Sequence, residues 1–217
     1  MAPPDSPSSS SSDKTRDNLI SAGLHLFGAQ GFAATSTRQI AARAGTNVAS
    51  IAYHFGGKVG LHEACGRAVA DRMAATVGEP RHHAELTARE AASMIEAMIR
   101  NLVRFVTAAP AATDIVAFLL GEIRDHGPAA DLIYSRFVGP KHSELCALWA
   151  AATGRDADSE AVKIAVFALV GQIVYFRIGQ PFVLKRMGWD HLTEAEAARI
   201  ADVLVNQLLA TLERGRE

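Results

Sequence analysis

The sequence is poor in cysteine, in aromatic residues and in net charge, and each shortage excludes a class of protein. Its 217 residues include two cysteines, Cys65 and Cys146, which are too few for the disulfide framework of a small secreted domain. The formal net charge is −1, so the chain is not a strongly basic protein that binds polyanions over its whole surface. Aromatic residues make up 6% and hydrophobic residues 49%, a composition that suits a globular, largely helical protein.

Signals for secretion and for a membrane span are also missing. Residues 1–12 lack a cationic region followed by an apolar run, and their serine and proline content predicts a disordered tail. The most apolar stretch, 161–179, is interrupted by Lys163, Gln172 and Arg177, whereas a bilayer span needs roughly 20 apolar residues. We therefore predict a buried helix at this stretch and a cytoplasmic protein with no membrane partner.

Helical periodicity runs through the whole chain, and no stretch alternates for long enough with the period of two that a strand requires. Glycine and proline occur at the places where the periodic segments break. We predict helices over 14–29, 37–44, 48–54, 58–77, 87–108, 111–126, 129–137, 141–152, 159–179 and 193–214. The predicted fold class is therefore all-α.

Two short predicted helices, 37–44 and 48–54, have the length and spacing of a helix-turn-helix. Gly45 suits the left-handed turn between them, and Asn47 is a good N-cap for the second helix. Residues 13–72 contain seven Lys or Arg against four Asp or Glu, an excess that favours contact with phosphate. We expect the buried side of this motif to consist of Ile40, Ala41, Ala44, Val48, Ile51 and Phe55.

The outward side chains of the helix-turn-helix suit contact with DNA. Thr37 and Arg38 stand at a helix N-terminus, whose free N–H groups favour a phosphate. Ala49 and Ser50 are small enough to let the second helix lie close to base edges. With the polar residues around them, the predicted DNA-binding set is Thr37, Arg38, Gln39, Asn47, Ala49, Ser50, Tyr53, His54 and Lys58.

This segment resembles the DNA-binding domain of the TetR family of transcriptional regulators. The resemblance is carried by Thr35, Arg38, Ile40-Ala41, Ala44-Gly45, His54-Phe55, Lys58 and Leu61. Many members have a tyrosine two residues before that histidine; here Ala52 takes the place and Tyr53 follows it. The resemblance implies an N-terminal three-helix DNA-binding domain at 13–60 and a larger helical ligand-binding and dimerisation domain at 61–217.

A second resemblance covers the C-terminal part of the chain. The segment 172–177, Pro181 and Met187-Gly188-Trp189 are similar to the effector domain of the CecR-like subgroup of the same family. The resemblance implies a repressor that binds a palindromic DNA operator as a homodimer and is released by a small-molecule effector. It implies no cofactor.

Two sets of residues are candidates for the effector site and for the dimer interface. Bulky, flexible side chains on facing helices can enclose a small molecule, although each of them can equally be ordinary core or surface. The ligand-binding candidates are Met94, Met98, Phe105, Phe118, Arg124, Tyr175, Phe176 and Arg177. An apolar stripe on the last predicted helix can form a twofold interface or an internal packing face; it consists of Ile200, Val203, Leu204, Leu208 and Leu212.

The histidines and cysteines do not form a metal-binding pattern. His62 and Cys65 lie one turn apart on a predicted helix, but no second pair completes the four ligands of a structural zinc site. His82 and His83 are adjacent and are expected in a solvated linker. We therefore predict no metal ligand.

A catalytic site also lacks support. Ser135, His142 and Glu144 can be drawn as a triad, but no G-x-S-x-G turn or oxyanion loop accompanies them. We predict no catalytic residue and no enzyme activity. Two other interpretations stay open at this point: a ligand-binding protein whose helix-turn-helix no longer binds DNA, and an α-helical hydrolase.

Overall fold

A computed structural model describes residues 8–83, 85–109 and 112–215. These residues form α-helices and one π-helical turn and contain no β-strand, so the all-α prediction is confirmed. The helices are α1 (Ser8–Ala34), α2 (Thr37–Arg43), α3 (Val48–Phe55), α4 (Lys58–Val77), α5 (Ala88–Ala108), α6 (Ala112–Asp125), α7 (Pro128–Ile133), α8 (Gly139–Thr153), α9 (Glu160–Ile178), α10 (Gln180–Met187) and α11 (Glu194–Arg214). The π-helical turn, Tyr134–Val138, joins α7 to α8.

Local side-chain chemistry fixes the ends of α2 and α3. Ser36 and Gln39 form a capping box, in which each side chain accepts a hydrogen bond from the other residue's backbone N–H. At the start of α3, Asn47 accepts from the backbone N–H of Ser50 at 3.0 Å, as predicted. Gly45, between the two helices, has a φ of +67°, a conformation that glycine adopts without strain. The helix-turn-helix is therefore encoded within its own sequence.

The described residues group into two compact units, and their division differs from the predicted boundary at residue 60. The first unit contains the described residues up to Asp71 together with Asp114–Tyr134, so most of α6 and all of α7 belong with the helix-turn-helix. Phe118 of α6 is 1% exposed inside this unit. A side chain at Gly28 of α1 would come within 2.9 Å of the backbone nitrogen of Phe118, so glycine permits this close helix contact.

The second unit contains the described residues within Arg72–Thr113 and Ser135–Glu217. Its core forms where α5 packs against α8, α9 and α11. Capping boxes define the first turns of two of these helices, from Thr87 to Glu90 on α5 and from Thr193 to Glu196 on α11. The apolar stripes of α5 and α11 face each other and bury, among others, Ile95, Ile99, Val103, Leu204, Leu208 and Leu212.

Several predicted boundaries are wrong, mostly where proline or glycine begins or continues a helix. Helix α1 already includes residues 8–12 of the predicted disordered tail, and residues 1–7 lie outside the described residues. The predicted end of α1 at residue 29 lies two residues before Gly31, where the chain departs from helical geometry. Pro181 lies in the first turn of α10, a helix that the sequence analysis omitted, because proline fits the first helical turn as well as it stops a helix.

The prediction that the most apolar stretch is a buried helix is wrong for the described chain. Helix α9 is long and apolar enough by itself to cross a bilayer, with a mean hydropathy of 1.8 over an 18-residue window, of which 22% is buried. One face of α9 packs into the second unit through Val162, Val166, Leu169 and Ile173. The opposite face is exposed and apolar, and its large residues are Ile164, Phe167, Tyr175 and Ile178.

Candidate functional site

The second helix of the helix-turn-helix, α3, has an accessible outer face. Tyr53 is 82% exposed, and Ala49 and Ala52 lie beside it on the same exposed side. Val48 was predicted to be buried, but it is 43% exposed, because the first turn of α3 extends past the side that packs on α2. Ile51 is the fully buried anchor of α3. The helix therefore presents small side chains and one tyrosine to a partner.

Cations border this face. Arg38 is exposed in the first turn of α2. Lys58, at the start of α4, places its Nζ 4.2 Å from the centre of the Phe32 ring, and this cation–π contact restrains a flexible side chain. His54 is half-buried and stacks edge-on against Tyr53 at 4.9 Å between ring centres. These groups can meet the phosphates on either side of a groove that receives α3.

Three residues of the predicted DNA-binding set also form hydrogen bonds within the helix-turn-helix. Gln39 uses its side-chain oxygen in the capping box with Ser36. Asn47 and Ser50 hydrogen-bond to each other at the start of α3. Asn47 and Gln39 are exposed, and the half-buried Ser50 hydroxyl also lies 2.9 Å from that of Thr46. They hold the two helices in register, and Gln39 keeps its amide NH₂ for a further partner.

A buried histidine lies in the same unit, and the residues that surround it were not predicted from the sequence. His62 of α4 is 1% exposed and is surrounded by the rings of Phe27, Phe32 and Phe118, at 4.8, 4.8 and 5.1 Å between centres. Its Nε2 lies 2.8 Å from a carboxylate oxygen of Glu122, although the ring N–H is not aligned for a good hydrogen bond. Burial lowers the pKa of His62 more than the Glu122 carboxylate raises it, so the imidazole is neutral near pH 7.

Glu122 connects three helices of the first unit. One carboxylate oxygen contacts His62 on α4, and the other accepts a hydrogen bond from the backbone N–H of Ala129 in the first turn of α7. A side chain at Gly127 would come within 2.2 Å of that carboxylate. The sequence shows the Gly127-Pro128 break but gives no sign that a carboxylate from α6 closes it.

The eight predicted ligand-binding residues are divided between the two units. Phe118 and Arg124 belong to the first unit, and Arg124 is exposed and paired with Asp125 through two hydrogen bonds. In the second unit Phe105 is buried in the core, whereas Met94 and Met98 are half-buried on α5. Tyr175 and Phe176 line a cavity of about 590 Å³ between α9, α10 and α11, and Arg177 lies 3.4 Å from Gln180.

The predicted dimer stripe needs correction as well. Ile200, Leu204, Leu208 and Leu212 are each at most 5% exposed, since they pack on the inner side of α11. Val203 is 57% exposed and belongs to the cavity that Tyr175 and Phe176 line. The periodicity identified a real apolar face, but that face is internal packing, which was the alternative interpretation.

The second unit also contains a cavity of about 1010 Å³, between residues 80–83, 85 and 86 and α8. Two charged residues of α8, Lys141 and Glu144, are each 5% exposed beside it. Lys141 donates to Glu144 at 2.5 Å and to the carbonyl of Glu79 at 3.2 Å. His83 approaches the other carboxylate oxygen of Glu144 at 2.6 Å, so its prediction as a solvated linker residue is wrong.

The described residues around His62 and His83 favour neither metal binding nor thiol chemistry. Among the described residues no three His, Cys, Asp or Glu side chains are grouped so as to hold a metal ion. Cys65, one helical turn after His62, is fully buried, and burial raises the pKa of its thiol to about 12. A thiol with such a pKa is inert at neutral pH.

Comparison with known proteins agrees with this architecture. A family model described as bacterial regulatory proteins of the tetR family matches residues 19–65, and one described as the C-terminal domain of the HTH-type transcriptional dual regulator CecR matches residues 91–214. The regulator CecR of Shigella flexneri is 34% identical over 199 residues, which cover 87% of this chain and 86% of that protein.

Solved structures share the fold at low identity. The crystal structure of AibR in complex with isovaleryl coenzyme A and operator DNA superposes with a TM-score of 0.65 at 17% identity, covering 89% of this chain and 97% of the other. A transcriptional regulator from Rhodococcus sp. Rha1 superposes with a TM-score of 0.62 at 15% identity, covering 90% and 96%.

The exposed helix-turn-helix on an all-helical scaffold defines a DNA-binding regulator of transcription. Together with the two family matches, it shows that the chain belongs to the TetR family, with a CecR-type C-terminal domain. Its relatives regulate transcription and are not enzymes, which confirms the prediction of no enzyme activity and removes the hydrolase alternative.

Proposed function

We propose that this protein is a cytoplasmic repressor that binds a palindromic operator as a homodimer and is released by a small-molecule effector. The observation that carries the proposal is the outer face of α3, which is exposed, has Tyr53 and Val48 as its larger exposed side chains, and is bordered by Arg38 and Lys58. A face of this kind fits a major groove, where small residues allow base edges to be approached and cations contact phosphate.

The exposed face of α9 supports the homodimer. Its large apolar residues form two pairs, Ile164 with Phe167 and Tyr175 with Ile178, and the exposed small residues Ala168 and Gly171 lie between the pairs. Such a stripe lets two helices approach closely, and a twofold axis pairs the same surface of both copies. Val203 of α11 and Phe182 of α10 extend the apolar area. A bilayer is the other environment that would cover α9, and membership in a family of DNA-binding regulators favours the second copy.

Ligand response is supported by the family and by the cavities of the second unit. AibR is a structural neighbour that has been solved with both a ligand and operator DNA. In the present chain the second unit contains cavities of about 1010 and 590 Å³, within the range that small-molecule sites occupy or above it. A ligand that binds one conformation tenfold better than the other shifts the equilibrium by about 1.4 kcal/mol.

Operator binding can be tested by fluorescence anisotropy with DNA from upstream of the protein's own gene. We expect Arg38→Ala to weaken binding by about 1–3 kcal/mol and Tyr53→Phe to weaken it less. The matched control is Arg89→Ala, since Arg89 is an exposed arginine in the second unit. Affinity should fall steeply with salt, because phosphate contacts release counterions.

Two results would contradict DNA binding through this face. Equal affinity of the wild-type protein and Arg38→Ala would move the contact elsewhere. The absence of any salt-dependent binding would favour the remaining alternative, a ligand-binding protein whose helix-turn-helix no longer binds DNA.

The dimer can be tested by sedimentation. A charge at the centre of a buried apolar face is strongly unfavourable, so Ile164→Glu and Val203→Glu should shift the protein to the monomer. Ile123→Glu provides the control, since Ile123 is 56% exposed on α6 while Ile164 is 59% exposed on α9. A sedimentation coefficient that Ile164→Glu leaves unchanged would place the interface on another surface.

A further inference from the structure

We propose that the cavity between residues 80–83, 85 and 86 and α8 is the effector site, and that it takes a small organic acid with an apolar body. The inference rests on the proposed ligand response and adds the place and the chemistry, which differ from those of the residues predicted from the sequence. None of those eight residues lines this cavity.

The size and floor of the cavity suit an apolar molecule of drug-like size. Its volume is about 1010 Å³, at the upper end of the 300–1,000 Å³ that small-molecule sites occupy. Leu86, Ala147, Leu148 and Ala151 supply an apolar wall, and the two alanines on α8 leave open the space that larger side chains would fill. Apolar surface of this kind favours an apolar ligand body, because the ligand removes it from water.

A buried ionic network borders the cavity. Lys141 and Glu144, each 5% exposed, form an ion pair at 2.5 Å, and His83 lies 2.6 Å from the second oxygen of Glu144. Burying an ion pair contributes little to stability, because the lost hydration offsets most of the attraction. A role in ligand recognition therefore explains this ion pair at the cavity wall better than a contribution to stability does.

The order of charges in this network favours an anionic ligand. Lys141 already neutralises Glu144 through the other carboxylate oxygen, so the network does not present an unpaired negative charge to the cavity. A ligand carboxylate can then approach the ring nitrogen of His83 that Glu144 does not contact.

Arg81 adds a second cation to the lining of the cavity. In the described part of the chain Arg81 has no acidic partner, so its guanidinium can form a bidentate contact with a carboxylate. Glu85, the one lining carboxylate outside the network, is exposed to water, and solvent screens its repulsion of an anion.

The test uses three probes of one chain length, namely octanoate, octanol and octylamine, and measures their binding to the full-length protein by calorimetry. We expect octanoate to bind at least tenfold more tightly than octanol or octylamine. Ala147→Trp should abolish binding by filling the cavity, whereas Ala97→Trp, at an exposed alanine of α5, should leave it unchanged.

The ionic part of the proposal is tested by Arg81→Gln and His83→Gln. Each should raise the Kd for octanoate about tenfold and leave the weaker binding of octanol unchanged. A purely structural role of His83 would instead change both probes equally. Preference for octylamine, or octanoate binding that persists in Ala147→Trp, would overturn the proposal.

The effector role has a separate readout. Octanoate should lower the affinity of the wild-type protein for operator DNA and have no effect on that of Ala147→Trp. Octanoate binding without any effect on operator affinity would overturn the role of effector site. A wild-type protein that fails to bind DNA without ligand would contradict the proposed function alone, because calorimetry does not depend on DNA.

Discussion

Each unit of this protein contains a buried contact between a histidine and a glutamate, and the two contacts have opposite surroundings. In the first unit His62 and Glu122 have side chains that are 1% and 8% exposed, enclosed by three phenylalanine rings. In the second unit His83 is 18% exposed at the wall of a large cavity, and Glu144 also holds the buried Lys141. One contact is closed and the other opens towards a space that a ligand can occupy.

The comparison shows how one pair of residue types serves two purposes. In the first unit the low pKa of His62 keeps the imidazole neutral, so the contact with Glu122 joins α4 to α6 without burying a second charge. In the second unit the buried charges are Lys141 and Glu144, and the histidine is the member nearest to solvent. The first arrangement suits a fixed scaffold in the unit that contains the helix-turn-helix, and the second suits a site that a ligand can enter.

The largest effect is expected from breaking the charged pair of the second unit. Glu144→Leu leaves the ammonium of Lys141 buried without a counter-charge, which costs about 3–5 kcal/mol. The double variant Lys141→Met with Glu144→Leu removes both charges. Its free energy of unfolding should lie within about 1 kcal/mol of that of the wild type, since apolar replacement of a buried pair is often neutral. Urea unfolding followed by circular dichroism measures both. Equal losses in the single and double variants would mean that the pair itself holds the unit together.

A smaller effect is expected in the first unit from Gly127→Ala. The added Cβ would lie 2.2 Å from the Glu122 carboxylate, so the carboxylate must move away from the N–H of Ala129, at a cost of about 1–3 kcal/mol. Gly121→Ala is the control on the same segment, because no atom lies within 4 Å of its added Cβ. That change should stabilise α6 by up to about 1 kcal/mol. Urea midpoints that move in the same direction for both variants would contradict the close packing at Glu122.

The sequence predicted the elements whose signals are local. Asn47, Gly45 and the spacing of apolar residues identified the helix-turn-helix, and α4 has the predicted bounds Lys58–Val77. The partners of each apolar face could not be predicted in this way, because periodicity marks a face but not the helix that covers it. Leu204 therefore proved internal, while the exposed apolar stripe lies on α9. Contacts such as that of His62 with Glu122 join residues far apart in sequence, and the sequence around either residue does not predict its partner.

The smallest expected effect is a dependence of stability on pH, which arises from the closed histidine contact of the first unit. His62 has a lowered pKa in the folded protein because burial disfavours its charged form. The unfolded chain therefore binds a proton more readily, and the stability that the neutral imidazole provides is complete above the ordinary pKa of about 6.5 and is lost as the pH falls below it. Glu122, Glu63 and Lys58 are the charged groups that act on this ring.

His62→Phe tests this dependence, because it keeps an aromatic ring in the cage and removes the titrating group. Between about pH 7.5 and pH 5.5, a range that spans the ordinary pKa of histidine, the free energy of unfolding should fall less in the variant than in the wild type. The expected difference over this range is at most about 1.4 kcal/mol, because pH 5.5 lies one unit below the ordinary pKa of histidine. Urea unfolding at several pH values measures the slope, and the NMR signal of the His62 ring in the wild-type protein reports its protonation independently. Identical slopes in the two proteins would mean that His62 does not stay neutral in the aromatic cage, and the contrast with His83 would then depend on the cavity alone.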